Sequence, residues 1–469
     1  MLRVACAASD AGALDLGIGR MTTYGSAKQS QSRAVVVAPV RCRGAWAVAA
    51  LSLLIAACGG GSGGGSGSAA PSTPLPDPRE TSIAPRNVTQ WTGAAPVEVR
   101  SLAPASDGGV WAAGIVTGPY PKPFLRYYGS SAASRCGLDG LAPLAELVTK
   151  LEKPQAFAVA NSSKGVLIGG LSPTGFFVSR HSEVDCSLDR SYGENGITHL
   201  MYPSLATASR AYMTVDGAGK VFVGGTVNGQ MAIWRLLPSG SVDLTYGTDG
   251  FAAPKVPDNF SVGALAADNE GSLFAGGAVS KVLGFVPAVA KLNPAGALDT
   301  SFGGSGVARL PELSKGTGSI WSLVWDGDRL VVAGNTTDGI TADAWPGNDS
   351  FLAALGTSTG RYIPSFAKNG WSVWDWGFNG SNVVLAMTKN RKGGFTTCGH
   401  IIRGAFKQSI ALADFDHDGQ TDGSIGYGGR RVLEGTEFAG ECFAVAQARG
   451  GELMVGGTVN ASGYIATVD

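Results

Sequence analysis

The chain is short of charge, of histidine and of long apolar runs, and each shortage removes a class of protein. Charged side chains make up only 15% of its 469 residues, too few to solvate the outer faces of long amphipathic helices. With four histidines, His181, His199, His400 and His417, neither a zinc cluster nor a histidine-based acid–base dyad is suggested. The one long apolar run, "AWAVAALSLLIAA" at 45–57, falls short of the roughly 20 residues that a membrane-spanning helix needs. No basic patch of the kind a phosphate backbone requires is visible, so nucleic acid is not an expected partner. What the chain has in excess is glycine, 70 residues, which is about twice the average share and follows no Gly-X-Y period. Many turns and many short strands, an all-β fold, fit that composition.

The apolar run follows Arg41 and Arg43 and ends in Ile55-Ala56-Ala57 directly before Cys58. A basic flank, a short apolar core and small residues before a cut describe a secretory leader over residues 1–57. The "IAAC" string resembles the lipobox of bacterial lipoproteins. That resemblance implies diacylation of the Cys58 thiol, a new N-terminus there, and a membrane partner engaged through the lipid. Gly59 stands where lipoproteins of this kind retained at the inner membrane carry Asp, which implies the outer membrane. A leader of this length is unusual, and Met21 or a valine near Val35 is an alternative start. Residues 58–82, Gly/Ser-rich and then Pro-rich, form a tether of flexible and then stiffer character. The leader contains six of the 36 basic residues and two of the 36 acidic ones, so the exported part carries a small acidic excess.

Beyond the tether, over 83–469, the sequence repeats. Residues 273–277 read "LFAGG", and copies occur as "VWAAG" (110–114), "VLIGG" (166–170), "VFVGG" (221–225), "LVVAG" (330–334), "FTTCG" (395–399) and "LMVGG" (453–457). Each follows a Gly/Asp/Asn-type turn, which makes seven units. A second string also returns: "SLDRSYGENG" (187–196), "SVDLTYGTDG" (241–250) and "ALDTSFGGSG" (297–306), decaying at 137–140, 362–370 and 420–429. Together these strings resemble the delta-60 repeat of bacterial surface and secreted proteins over about residues 98–469. The resemblance implies a β-propeller-like array with no general catalytic assignment. Units of four short strands are also the sequence mark of propeller blades. The expected fold is a seven-bladed β-propeller of four-stranded blades. The last unit stops after its third strand, so the segment near "NVTQWTG" (87–93) is expected to close the ring.

Within the repeat, Arg180, Arg235 and Lys291 occupy the third strand, and Asp189, Asp243 and Asp299 the loop that follows. A half-buried acid needs a partner, so these read as base–acid pairs with a structural role. Aligning Phe366 with Phe302 puts Leu355 and Ile363 at the two positions in the fifth unit, where both charges vanish together. Arg126 and Asp139 are a weaker version in the first. The sixth unit differs: Asp414 takes the basic position, and "DFDHDGQTD" adds Asp416 and Asp418 before Asp422. Acids on alternate residues before an Asp-Gly turn can wrap Ca²⁺, and the string resembles calcium loops of the EF-hand and integrin-propeller types, without the EF-hand's final Glu. Calcium at Asp414, Asp416, Asp418 and Asp422 is one expectation; a solvated acidic hairpin is the other. No organic cofactor is expected.

Cys136, Cys186, Cys398 and Cys442 remain beyond Cys58. An even number in an exported chain suggests disulfides, and the local pairs Cys136–Cys186 and Cys398–Cys442 are favoured, with free thiols open for the first. "GTSTG" around Ser358 matches a nucleophile elbow in letters but aligns with a hairpin turn, where the required strand-to-helix geometry is missing. Trp371, Trp374 and Trp376 suit packing between strands better than sugar stacking. The expected function is that of a lipid-anchored, monomeric envelope scaffold that binds a protein or glycan and is not an enzyme. The runner-up is a propeller enzyme acting on glycans or as an oxidase, since the second strands also resemble kelch repeats; the downstream Tyr and Trp of kelch units are absent.

Overall fold

The computed structural model describes residues 81–468, except 92–95, 119–120, 130–134, 137–143, 203–207, 257, 283, 314–315, 338–347, 375–380, 404–406, 427 and 437–438. Cys58, Asp139 and Trp376 lie outside the described residues.

Two strands precede the first unit, β1 (Thr81–Ile83) and β2 (Arg86–Gln90). Blade 1 contains β3 (Val97–Pro104), β4 (Val110–Val116) and β5 (Lys122–Tyr128), followed by a short helix, α1 (Ala145–Lys150). Blade 2 contains β6 (Gln155–Ser162), β7 (Gly165–Ser172), β8 (Gly175–His181) and β9 (Ile197–Met201). In blade 3 the strands are β10 (Tyr212–Val215), β11 (Val221–Val227), β12 (Gln230–Leu236) and β13 (Phe251–Ala252). Blade 4 follows with β14 (Phe260–Ala267), β15 (Leu273–Ser280), β16 (Phe285–Leu292) and β17 (Val307–Arg309). Blade 5 is β18 (Thr317–Asp326), β19 (Arg329–Thr337), β20 (Asn348–Gly356) and β21 (Trp371–Trp374). Blade 6 is β22 (Asn382–Lys389), β23 (Phe395–Arg403), β24 (Lys407–Phe415) and β25 (Arg430–Leu433). Blade 7 ends the chain with β26 (Gly440–Gln447), β27 (Leu453–Val459) and β28 (Ser462–Val468).

Each blade is a meander of consecutive antiparallel strands. The first strands of successive blades touch in order, and β26 touches β3, so the sheets close a ring around a channel. This is the seven-bladed β-propeller that the repeat implies. Apolar residues fill the spaces between blades. Phe274 and Phe302 of blade 4, for example, share one cluster with Leu330 and Phe351 of blade 5.

The paired glycines of the second strands answer two separate demands. A Cβ on Gly277 would overlap the Ser261 carbonyl oxygen, and one on Gly457 the Glu441 carbonyl, both on the first strand of the same blade. The glycine before it faces the next blade: a Cβ on Gly456 would lie 2.7 Å from Val99 Cγ1, and one on Gly169 2.9 Å from Met213 Sδ. One glycine therefore makes room for a kink in its own sheet, the other for its neighbour.

Closure occurs where the sequence placed it. Strand β2 pairs antiparallel with β28, Thr89 opposite Ile465 and Gln90 opposite Tyr464, and completes blade 7. Strand β1 was not anticipated. It runs parallel to β25, Ser82 opposite Val432, and makes blade 6 five-stranded. Its first two residues fall inside the expected tether of 58–82. The β-branched Thr81 and Ile83 favour extended pairing, and Ile83 packs on the core shared by blades 6 and 7. Blade 1 shows three strands among the described residues. After them, Leu144, Leu147 and Leu151 bury one side of α1 against Leu125 and Tyr127, a three-then-four spacing that signals a helix.

The structure joins Cys136 to Cys186 and Cys398 to Cys442, with Cα separations of 5.1 and 5.8 Å, inside the range a disulfide spans. The first links blade 1 to blade 2 and the second blade 6 to blade 7, so the bonds flank the seam. They close 50 and 44 residues of chain, and each is expected to contribute about 4 kcal/mol by restricting the unfolded state. Reduction should lower the melting temperature by about 5 °C per bond. Thermal melts with and without a reductant, and of Cys398→Ser, check this; a transition insensitive to reductant contradicts it.

Candidate functional site

The repeated loop is a clamp between blades. In blade 3, Arg235 on β12 donates from Nε to Asp243 at 2.9 Å and from Nη1 to the Pro294 carbonyl, in the turn of blade 4, at 2.5 Å. The same guanidinium lies 4.5 Å from the centroid of the Tyr246 ring. Blade 2 repeats the arrangement: Arg180 reaches Asp189 at 2.7 Å and the Pro238 carbonyl at 2.9 Å, over Tyr192. Lys291 reaches Asp299 at 3.0 Å in blade 4. The loop aromatics then sit under the turn glycine of the next blade, Tyr192 under Gly240, Tyr246 under Gly296 and Phe302 under Gly360. A backbone bond fastens each contact, as from Gly247 N–H to the Ala295 carbonyl at 2.8 Å.

Burial resists ionisation of Asp243. Hydrogen bonds from Thr245 and Lys220 and the Arg235 charge outweigh it and hold the carboxyl well below its ordinary range. In blade 5, Leu355 and Ile363 do occupy the two vacated charge positions, and another cation takes over the clamp. Arg329 on β19 pairs with Asp326 at 2.7 Å and donates to the His417 carbonyl of blade 6 at 2.9 Å. Its residue lies opposite Gly356 in the ladder, beside Leu355 in space though distant in sequence.

The acidic loop of blade 6 is divided among separate partners. Asp414 accepts from Arg431 at 2.7 Å and from the Thr396 hydroxyl at 2.6 Å, and it is buried. Asp422 accepts from Lys392 at 2.8 Å and from Ser424, which hold its pKa down at about 2. Asp416 accepts the backbone N–H groups of Asp418 and Gln420 and caps the hairpin turn, while Asp418 is exposed beside His417. Among the described residues, no three His, Cys, Asp or Glu side chains gather at metal-binding distance. The cation that answers Asp414 is Arg431, which arrives from β25, opposite Leu412. The charge order is swapped between strands, and the pair is kept.

Ser358 lies in the turn between β20 and the following loop, where Gly356 N–H bonds to the Arg361 carbonyl. It is a strand-to-strand turn, so no nucleophile elbow forms. Trp374 is buried against Phe415, ring centroids 4.8 Å apart, between blades 5 and 6. Trp371 is half-buried against the core of blades 4 and 5.

The channel is where non-repeating chemistry collects. The register between first and second strands slips once in six blades, leaving Arg100, Phe157, Gly263, Trp321, Leu385 and Phe443 unpaired in the ladder. Such bulges re-aim side chains. All six line one cavity of about 200 Å³ at the channel waist, together with Arg210 and Tyr212 of blade 3. Arg100 lies between the rings of Phe157 and Phe443, 5.6 and 5.0 Å from their centroids, and donates from Nη2 to Glu98. Burial first, and Arg210 next among the opposing effects, lower its pKa. Sequence reasoning missed this ring, although a signal exists. In "EVRSL", "QAFAV", "SVGAL", "SIWSL", "VVLAM" and "ECFAV" a variable residue precedes Ala or Ser at the same point of each first strand.

A second, wider feature opens where the turns between first and second strands converge. Turns of blades 7, 1, 2 and 3 and the clamp loop of blade 2 line a groove of about 1140 Å³. Its charges are mixed: Lys164, Arg190 and Arg449 stand with Glu183, Asp189 and Asp216.

The fold and these sites define a seven-bladed propeller whose recurrent residues hold the ring and whose individual residues face the channel and one mouth. A family described as "Domain of unknown function (DUF5122) beta-propeller" matches residues 219–246 and 271–302. These are the second strands, clamp cations and clamp loops of blades 3 and 4. No curated protein matches the chain in sequence. Among solved structures, it is similar to Drosophila semaphorin 2a at 10% identity, over 83% of this chain and 76% of that one, with a TM-score of 0.44. It is also similar to Sqt1 of Chaetomium thermophilum, solved bound to the N-terminus of ribosomal protein L10. That match has 11% identity, over 82% of this chain and 99% of that one, with a TM-score of 0.43.

Proposed function

We propose that the protein is a lipid-anchored binding scaffold of the bacterial outer envelope, held through Cys58, whose propeller binds a protein or glycan and does no catalysis. The observation that carries this reading is the large mixed-charge groove on the turn face. Lys164, Glu183, Asp216 and Arg449 come from four different blades or loops and converge there. These residues stand on turns and a loop carried by the ring of blades, and loops positioned by a scaffold are the usual place for recognition. Charged groups arranged in this way set specificity and encounter rate more than raw affinity.

The test uses the full chain in two forms, wild type and Lys164→Glu with Arg449→Glu, on a glycan array and in cross-linking to isolated envelope proteins. One partner class should be retained by the wild type and lost by the variant. An unbiased hydrolase and oxidase screen runs alongside. Turnover in that screen, or equal retention by both forms, would defeat the proposal.

A further inference from the structure

We infer that the waist of the channel is a binding site for a small carboxylate with a flat apolar body, gripped by Arg100 and Arg210. The cavity lining contains these two arginines and no aspartate or glutamate. The nearby acids are engaged outside it, Glu98 with Arg100 and Glu441 with the Gln408 amide at 2.9 Å. The Arg100 side chain is only 9% exposed, yet its Nε has no hydrogen-bond partner. Leaving a buried donor unmade costs about 1–3 kcal/mol. A carboxylate in the cavity would meet the guanidinium groups of Arg100 and Arg210 through charge-assisted bonds. It would also offset the repulsion that Arg210 exerts on Arg100, an effect smaller than the attraction of Glu98.

Preorganisation points the same way. Phe157 and Phe443, from the two adjoining blades, flank the Arg100 guanidinium, and its side chain is nearly buried, so little side-chain freedom is lost on binding. Blades 4 and 5 stand opposite blade 1 in a ring of seven. Blade 4 presents Gly263 there, with no side chain, and blade 5 presents Trp321. The Gly263 backbone packs against the Ile320 carbonyl of blade 5, and the Trp321 ring beside it offers the ligand a surface to stack on. The volume of about 200 Å³ is below the roughly 300–1,000 Å³ of drug-sized sites, which limits the ligand to about one ring and its acid group. This inference is independent of the groove and its partner; either can fail alone.

Isothermal titration calorimetry of the full chain with benzoate, cyclohexanecarboxylate, benzyl alcohol and inorganic phosphate tests it. Benzoate should bind saturably, one per chain, with the puckered cyclohexanecarboxylate weaker and the alcohol and phosphate at least about tenfold weaker than benzoate. Arg100→Gln and Arg210→Gln should each weaken benzoate by about tenfold or more. Arg210 is only half-buried, so its variant keeps the fold, as circular dichroism would verify, and the test stands even where Arg100→Gln destabilises the ring. Absence of saturable benzoate binding, cyclohexanecarboxylate, phosphate or alcohol binding as tightly, or undiminished binding by folded Arg210→Gln would each overturn the inference.

Discussion

Deleting residues 83–95 is expected to lower the melting temperature by about 10 °C or more. Among the described residues, strand β2 is the only part of blade 7 that comes from the N-terminal side of the ring, and β28 would otherwise present an unpaired edge. Tyr464, Ile465 and Ala466 on β28 are buried, so loosening that strand exposes core as well as backbone. The segment also reaches blade 1. Trp91 donates from its backbone to the Gly463 carbonyl at 3.0 Å, and its ring lies 5.8 Å from Phe124 and 5.4 Å from Arg126. Removing it opens a seam between first and last blades, and a propeller resists unfolding best when no such edge is free. Scanning calorimetry of the deleted chain beside the wild type decides the matter; coincident transitions would show that closure does not depend on this strand.

Asp243→Asn is expected to destabilise the protein by about 3–5 kcal/mol. Arg235 and Asp243 are 3% and 4% exposed, so neutralising the acid leaves the guanidinium and Lys220 facing each other in a poorly solvated place. Asp299→Asn should cost only about 1 kcal/mol, because Lys291 and Asp299 are 13% and 24% exposed. Copying blade 5 with the double change Arg235→Leu and Asp243→Ile should recover part of the loss, since apolar residues of fitting volume can replace a buried pair. Recovery stays partial because the Pro294 carbonyl loses its donor. The pH dependence follows from the same group. Asp189, Asp243, Asp299 and Asp422 all have carboxyls held below their ordinary range. Depressed folded pKa values give stability that is complete above the unfolded value near 4 and fades as pH falls through the folded values, down to about 2 for Asp422. Acid unfolding should therefore set in below about pH 4, less steeply in Asp243→Asn. Urea melts from pH 7 to 2 measure both effects. An Asp243→Asn protein as stable as wild type at pH 7 would mean that the clamp contributes little.

Repeats made most of the architecture legible in advance. The period of "hhhGG" and "LDxSFG" strings carries blade number, strand order and the missing last strand, because each string answers a demand that recurs in every blade. The glycines make way for a bulge and for a neighbour, and the loop acid meets a strand cation nine or eight residues earlier. Features that break the period were harder to see. Arg329 replaces the blade 5 clamp from a different strand, and Arg431 restores the blade 6 pair from the strand after it. Both sit at the right place in space and the wrong place in the alignment.

By itself, then, the order of residues determined the ring, its closure and the loop pairs of blades 2, 3 and 4, since these are contacts between near neighbours or between equivalent points of adjoining copies. Only the tertiary structure decided which cation answers Asp414, where β1 adds to blade 6, and that Arg100, Trp321 and Phe443 meet across the channel. The last two join residues hundreds of positions apart through a closed ring, and no local spacing along the chain encodes the distance across it. Arg431 is only 17 residues from Asp414 but reaches it from a strand outside the repeated base–acid spacing.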